Sequence, residues 1–184
     1  MELLAPAGSR QALTAAVQSG ADAVYLGGPQ FGARYSAENF TIEEMKTWVD
    51  YCHLYGVDVH VTVNTLVKEK EIESLKEYLK QLNEIGVDAL IVQDMGAVEI
   101  IKKTVPDMTL HASTQMTVTS LEGVKYLEDM GFSRVVLARE LSEKEIEHIC
   151  KNAKAEIEVF VHGAICMCYS GQCLMSSILG GRSG

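Results

Sequence analysis

Four segments of this 184-residue chain share one pattern: a run ends in glycine, and a β-branched apolar run begins at once. They read SGADAVYLGG (19–28), YGVDVHVTVN (55–64), IGVDALIVQD (85–94) and MGFSRVVLARE (130–140). Glycine just past a helix takes the left-handed conformation without a Cβ clash. The runs that follow are rich in Val, Ile and Leu, as in parallel strands buried on both faces. Further strands are predicted at Glu2–Ala5, Met108–Gln115 and Glu156–Val161. Amphipathic helices fill the gaps. Between Glu69 and Gly86, for instance, Ile72, Leu75, Leu79, Leu82 and Ile85 share one face, opposite Glu and Lys. Thr41 with Glu44 and Ser142 with Glu145 match capping boxes, in which hydroxyl and carboxylate each satisfy an orphan backbone N–H. Cys52 and Cys150 continue the apolar stripes of their helices and read as core. His53, His60 and His148 read as surface or core residues.

Seven strands alternating with six helices imply a parallel sheet. An open doubly wound sheet competes with a closed barrel. Even unit spacing, the lack of GxGxxG after the first strand and polar residues at strand ends favour the barrel. The expected fold is therefore α/β, a TIM-barrel-like (β/α) parallel barrel in a single domain, 1–184. A complete barrel needs about 250 residues, so the chain reads as an incomplete one from a longer protein. An open barrel edge of that kind favours homodimers.

Composition narrows the class. The chain is 47% apolar and 22% charged with three prolines, which excludes disorder. No stretch is long and uncharged enough to span a bilayer, and MELLAPAGSRQ lacks the features of a signal peptide. A cytoplasmic protein is expected. Net charge is −9, and only five residues are arginine, so bulk electrostatics do not hold a phosphate backbone. An RNA partner needs a local basic patch or basic surface outside this segment.

Polar residues recur where the strands end: Pro6–Gly8, Gly27–Gly28, Asn64, Gln93 with Asp94, His111–Ser113 with Gln115, Arg139 with Glu140, and His162 with Gly163. In a closed barrel these converge on one mouth and suit a small polar substrate. Each one singly is also an ordinary loop or cap residue. After the seventh strand comes HGAICMCYSGQC (162–173), which holds Cys166, Cys168 and Cys173. Its spacing, C-x-C-x₄-C, is not that of a closed structural zinc site, and an iron–sulfur cluster needs four ligands. The loop favours metal over nucleophilic chemistry, with a ligand to come from elsewhere.

The run EVFVHGAIC (158–166), then GQCLMS (171–176), resembles the signature of the U-thirty-two peptidase family, the collagenase-like proteases. ELLAPAG (2–8), HASTQ (111–115) and VVLARELS (135–142) are similar to that family too, and the resemblance spans the whole chain. It implies a TIM-barrel-like domain. It implies either a collagenase-like peptidase or, more strongly, an iron–sulfur enzyme hydroxylating without molecular oxygen. Known substrates of that kind are uridine in transfer RNA, cytidine in ribosomal RNA, and quinone precursors. The resemblance carries two ligands of a [4Fe-4S] cluster onto Cys166 and Cys173. It leaves Cys168 as a bystander and puts two further ligands beyond residue 184. Arg139, His111, Gln115 and Asn64 would position the substrate or an organic hydroxyl donor such as prephenate. Asp94 or Glu140 would move protons if burial raises its pKa. A non-catalytic barrel that binds RNA or protein is the remaining alternative. An RNA or small-molecule substrate would also engage the missing part.

Overall fold

The computed structural model describes residues 1–33, 38–163, 166–173 and 178. Among the described residues strands and helices alternate: β1 Leu4–Pro6, α1 Arg10–Gln18, β2 Ala23–Gly27, α2 Ile42–Leu54, β3 Asp58–Val63, α3 Ile72–Glu84, β4 Ala89–Val92, α4 Met95–Thr104, β5 Thr109–Ala112, α5 Leu121–Asp129, β6 Arg134–Val136, α6 Glu143–Asn152 and β7 Glu156–Glu158. Short 3-10 turns, Glu69–Glu71 and Thr114–Met116, lead into α3 and follow β5. All seven strands are parallel and stand in sequence order, β1 to β7. This is the expected incomplete TIM-barrel-like sheet. Among the described residues β1 and β7 form no ladder with each other. None of the described helices is long and apolar enough to cross a membrane.

Local chemistry accounts for the repeat. The glycines that end α1, α2, α3 and α5 (Gly20, Gly56, Gly86 and Gly131) have φ of +87°, +70°, +80° and +83°. Both capping boxes form, at Thr41–Glu44 and Ser142–Glu145. Alternate strand residues, including Val24, Leu26, Val59, Val61, Val63, Leu90, Val92, Leu110 and Val135, pack against helix residues such as Leu13, Met45, Val49, Leu75, Leu79, Leu82, Val98 and Ile101. Cys52 is part of that core, and burial raises its thiol to about 11.

Two expectations need correction. Cys150 is exposed: Ile149 is the buried residue of α6, and Cys150, one residue on, is rotated by about 100° toward solvent. The strands are also not uniformly apolar on both faces. The row facing away from the helices pairs Thr62, Ile91, His111, Arg134 and Glu156 across β3–β7. Where a barrel interior is usually filled by branched apolar side chains, this one is largely polar.

Candidate active site

At the C-terminal ends of the strands lies a cavity of about 140 Å³. That is on the order of the volume that holds one benzene ring in an engineered protein cavity. It has room for a single ring. Asn64, Ser113, Gln115, Asn39 and Glu158 supply its polar wall, and Tyr25 and Phe160 supply aromatic surface. Asn64 is fixed on both sides: its Oδ1 accepts from the Ala33 N–H at 3.0 Å, and its Nδ2 donates to Ser113 Oγ at 3.5 Å. Gln115 Oε1 and Glu158 Oε2 are buried acceptors without a hydrogen-bond partner among the described residues. Burial raises the Glu158 carboxyl pKa, against the opposing pull of Arg134.

Beside the cavity sits the cysteine loop. The three sulfurs of Cys166, Cys168 and Cys173 lie within 4.8 Å of one another. Cys168, which the resemblance leaves as a bystander, lies beside the other two; hydrogen bonding to Cys173 and that residue's charge push its thiol up. The loop is pinned through Ser170, which is 2% exposed. Glu140 Oε1 accepts from the Ser170 N–H at 2.9 Å, and Thr117 Oγ1 donates to the Ser170 carbonyl at 2.7 Å. Ser170 Oγ accepts from the Arg139 N–H at 3.2 Å. Arg139, Glu140, Cys166 and Cys168 line one shallow hollow. There Arg139 Nη2 donates to the Cys168 carbonyl at 3.4 Å. One stretch, Ser113–Thr117, serves both places, because its Gln115 lines the cavity while its far end holds the loop.

Below the mouth, the lumen holds a charged cluster. Arg134 Nη1 and Nη2 donate to the two carboxylate oxygens of Glu2 at 2.5 and 2.6 Å, and its Nε donates to Glu156 at 2.9 Å. Glu158 lies 3.7 Å away. Burial works against the charge of Arg134, but the two carboxylates outweigh it and raise its pKa. The His60 and His111 rings meet edge to face, 4.6 Å between centroids. Burial lowers both pKa values, His111 to about 3, with His60 and Arg134 adding to that shift. Both imidazoles are neutral at physiological pH.

The predicted site residues therefore fall into three groups. Asn64 and Gln115 line the cavity. Arg139, Glu140, Cys166 and Cys173 gather at the thiol loop. His111 and Asp94 line neither place. His111 lies in the lumen. Asp94 caps α4, its Oδ1 accepting from Gly96 N–H at 2.7 Å, and its Oδ2 accepts from Val67 N–H at 2.9 Å. Glu140 lies below the ordinary carboxylate value, because hydrogen bonds from Ser170 outweigh burial. The carboxyl whose pKa is raised at the mouth is Glu158, which sequence reasoning passed over. Its signal was its place at the end of the seventh strand, inside EIEVFVHG.

The role of Asp94 can be tested by two substitutions. Asp94→Asn keeps the cap but cannot also accept from the Val67 N–H, and is expected to cost about 1 kcal/mol, whereas Asp94→Ala loses both contacts and costs about 2–3 kcal/mol. Urea unfolding of both variants checks this. Equal stability of the Ala variant and the parent would remove the structural role.

The model of peptidase family U32 matches residues 8–184. The chain belongs to this family. It is 45% identical over 183 residues to the 23S rRNA 5-hydroxycytidine C2501 synthase of Escherichia coli, covering 100% of this chain and 27% of that protein. It is 40% identical over 181 residues to tRNA hydroxylation protein P1 of Bacillus subtilis, covering 98% of this chain and 43% of that one. It thus spans less than half the length of these U32 relatives. The solved structure of the U32 peptidase Mk0906 superposes with a TM-score of 0.74 at 22% identity, over 91% of this chain and 71% of that one. At that identity the likeness concerns the fold.

Proposed function

We propose that this U32 chain supplies the barrel and thiol loop of an oxygen-independent RNA nucleobase hydroxylase. One observation carries the reading: a ring-sized cavity and a three-thiol cluster share the Ser113–Thr117 stretch. The names of the E. coli and B. subtilis relatives, which concern rRNA and tRNA hydroxylation, support it.

In this reading Gln115 Oε1 accepts a hydrogen bond from the N–H edge of a base turned into the cavity, so that burial does not leave this acceptor unpaired. Half-exposed Phe160 offers a ring for stacking. Asn64, held by Ala33 and Ser113, orients the bound ring or an organic hydroxyl donor of the prephenate class. With its raised pKa, Glu158 can hold a proton at the cavity wall. The thiol loop fits the donor chemistry of an iron–sulfur cluster, for which Cys166 and Cys173 would be ligands. Such a cluster, when bound, supplies one-electron chemistry. With a net charge of −9, this chain leaves the grip on the RNA backbone to basic surface elsewhere.

A peptidase is the second reading, and the family's name carries it.

The decisive test is genetic. Disrupting the gene in its native host and digesting total RNA to nucleosides for mass spectrometry is expected to show the loss of one hydroxylated nucleoside. The parent gene should restore it, and a Cys166→Ser/Cys173→Ser gene should not. An unchanged nucleoside profile, together with gelatin cleavage by the purified parent, would favour the peptidase instead.

A further inference from the structure

A guanidinium carries five N–H donors in a rigid fork. In Arg134 four of them are taken: Nε by Glu156 at 2.9 Å, Nη2 by Glu156 at 2.5 Å and by Glu2 at 2.6 Å, and Nη1 by Glu2 at 2.5 Å. The fifth is on Nη1, and Glu158 Oε2 lies 3.7 Å from that nitrogen. We propose that Arg134 is a positioning residue for the cavity: its guanidinium holds one oxygen of the Glu158 carboxyl and leaves the other to the ring that the cavity takes. The inference deepens the hydroxylase reading and rests on it only for the identity of that ring.

Access is the first ground. The Glu158 side chain lines the cavity and is 19% exposed, yet its Oε2 is buried and makes no hydrogen bond among the described residues. The surface that Glu158 shows to the cavity therefore belongs to its other atoms. An acceptor buried in this way is costly, and the charge of the nearby guanidinium offsets that cost.

Fixity is the second. The Arg134 side chain is 9% exposed. It is gripped from ahead of β1 by Glu2 and from β7 by Glu156, so it cannot swing away from Glu158 without breaking both ion pairs.

Charge is the third. Arg134, from β6, favours the Glu158 carboxylate, and Glu2 opposes it. Glu156 competes for the guanidinium, and Glu38 lines the same cavity. The lumen histidines, His60 on β3 and His111 on β5, are neutral. Burial pushes the Glu158 pKa up and Arg134 pulls it back. Removing Arg134 raises it further, so the carboxyl keeps its proton to higher pH.

Glutamate labelled with carbon-13 at the carboxyl reports each side chain's titration by NMR in this chain, and Glu158→Gln identifies the signal. Arg134→Met is expected to raise the Glu158 midpoint by about one pH unit. Arg134→Lys, which keeps the charge without the fork, should raise it less. Glu2→Gln, which removes a competing carboxylate, should lower it. Circular dichroism checks that each variant is folded, and the Lys and Gln variants decide the matter if the Met variant is not. In the full-length parent, with RNA from the gene-disrupted host as substrate, the pH dependence of hydroxylated-nucleoside formation should shift in the same directions. A Glu158 midpoint common to all these variants overturns the proposal. So does a rate that falls equally at every pH, because lost stability alone produces that. A full-length parent that forms no hydroxylated nucleoside overturns the hydroxylase reading, and the carbon titration then decides on Arg134 by itself.

Discussion

Arg134→Met is expected to lower the unfolding free energy by about 3 kcal/mol near neutral pH. Breaking a buried ion pair from one side costs about 3–5 kcal/mol, because the remaining charge is left uncompensated. The lower end applies here. The Arg134 side chain is 9% exposed, but those of Glu2 and Glu156 are 33% and 67% exposed, and water screens them in part. The substitution also unties the two edges of the sheet, since the guanidinium on β6 holds Glu2 before β1 and Glu156 on β7.

The pH dependence has a definite sign. The hydrogen bond from Arg134 holds the Glu2 pKa below its ordinary value of 4.5. A lowered folded-state pKa adds stability that is present above the unfolded value and is lost as pH falls through the folded one. Glu158 behaves oppositely: burial raises its pKa, so its stability is present below 4.5 and is lost as pH rises through the raised value. Arg134 offsets part of that loss. On both counts the deficit of Arg134→Met should be largest near neutrality and should narrow below about pH 4. Urea unfolding at the two pH values reads it. Deficits of the same size at both would show that the cluster contributes packing rather than charge.

Gly171→Val is expected to disrupt the three-thiol cluster while sparing the fold. Gly171 has φ +72°, and a Cβ there would collide with the Gln115 backbone. The left-handed conformation alone costs a residue with a side chain about 1–2 kcal/mol. The collision cannot be relieved by turning a side chain, because the obstacle is main chain. The loop must lift, and Ser170 then loses Glu140 and Thr117. Cadmium, added as a probe of neighbouring thiols to the reduced chain, should bind at least ten-fold more weakly to the variant than to the parent, whereas the urea midpoint should shift less than in Arg134→Met, because the loop lies outside the helix-facing core. An unchanged cadmium affinity would mean that the loop does not depend on its seat against Gln115.

Much of this was legible in the chain. In VDVHVTVN the valines at 57, 59, 61 and 63 alternate with Asp58, His60, Thr62 and Asn64. Taken as a strand buried on both faces, the segment gives the right element. That reading passed over its alternation, and the polar row proves to face the lumen, where His60 meets His111. The cysteine loop was legible from its signature, and Asn64, Gln115, Arg139 and Glu140 from their place at strand ends. Glu158 escaped notice because a glutamate inside a strand resembles a surface residue until the strand is known to face a cavity. Asp94 looked catalytic because a helix cap and a strand-end acid are the same residue in a sequence. Cys150 looked buried because a helix stripe has an edge, and periodicity alone does not say how wide the covered face is.

By itself the sequence determined the order of strands and helices, their parallel arrangement and the existence of a thiol loop. Those features rest on local physics: left-handed glycines after helices, capping boxes, and apolar periodicity within a dozen residues. Only the tertiary structure decided which polar groups meet. Arg134 finds Glu2 across 132 positions, Ser170 finds Glu140 across 30, and Thr117 finds Ser170 across 53. Such contacts are set by strand register and the curvature of the sheet, which bring distant side chains to one wall and which no short-range pattern records.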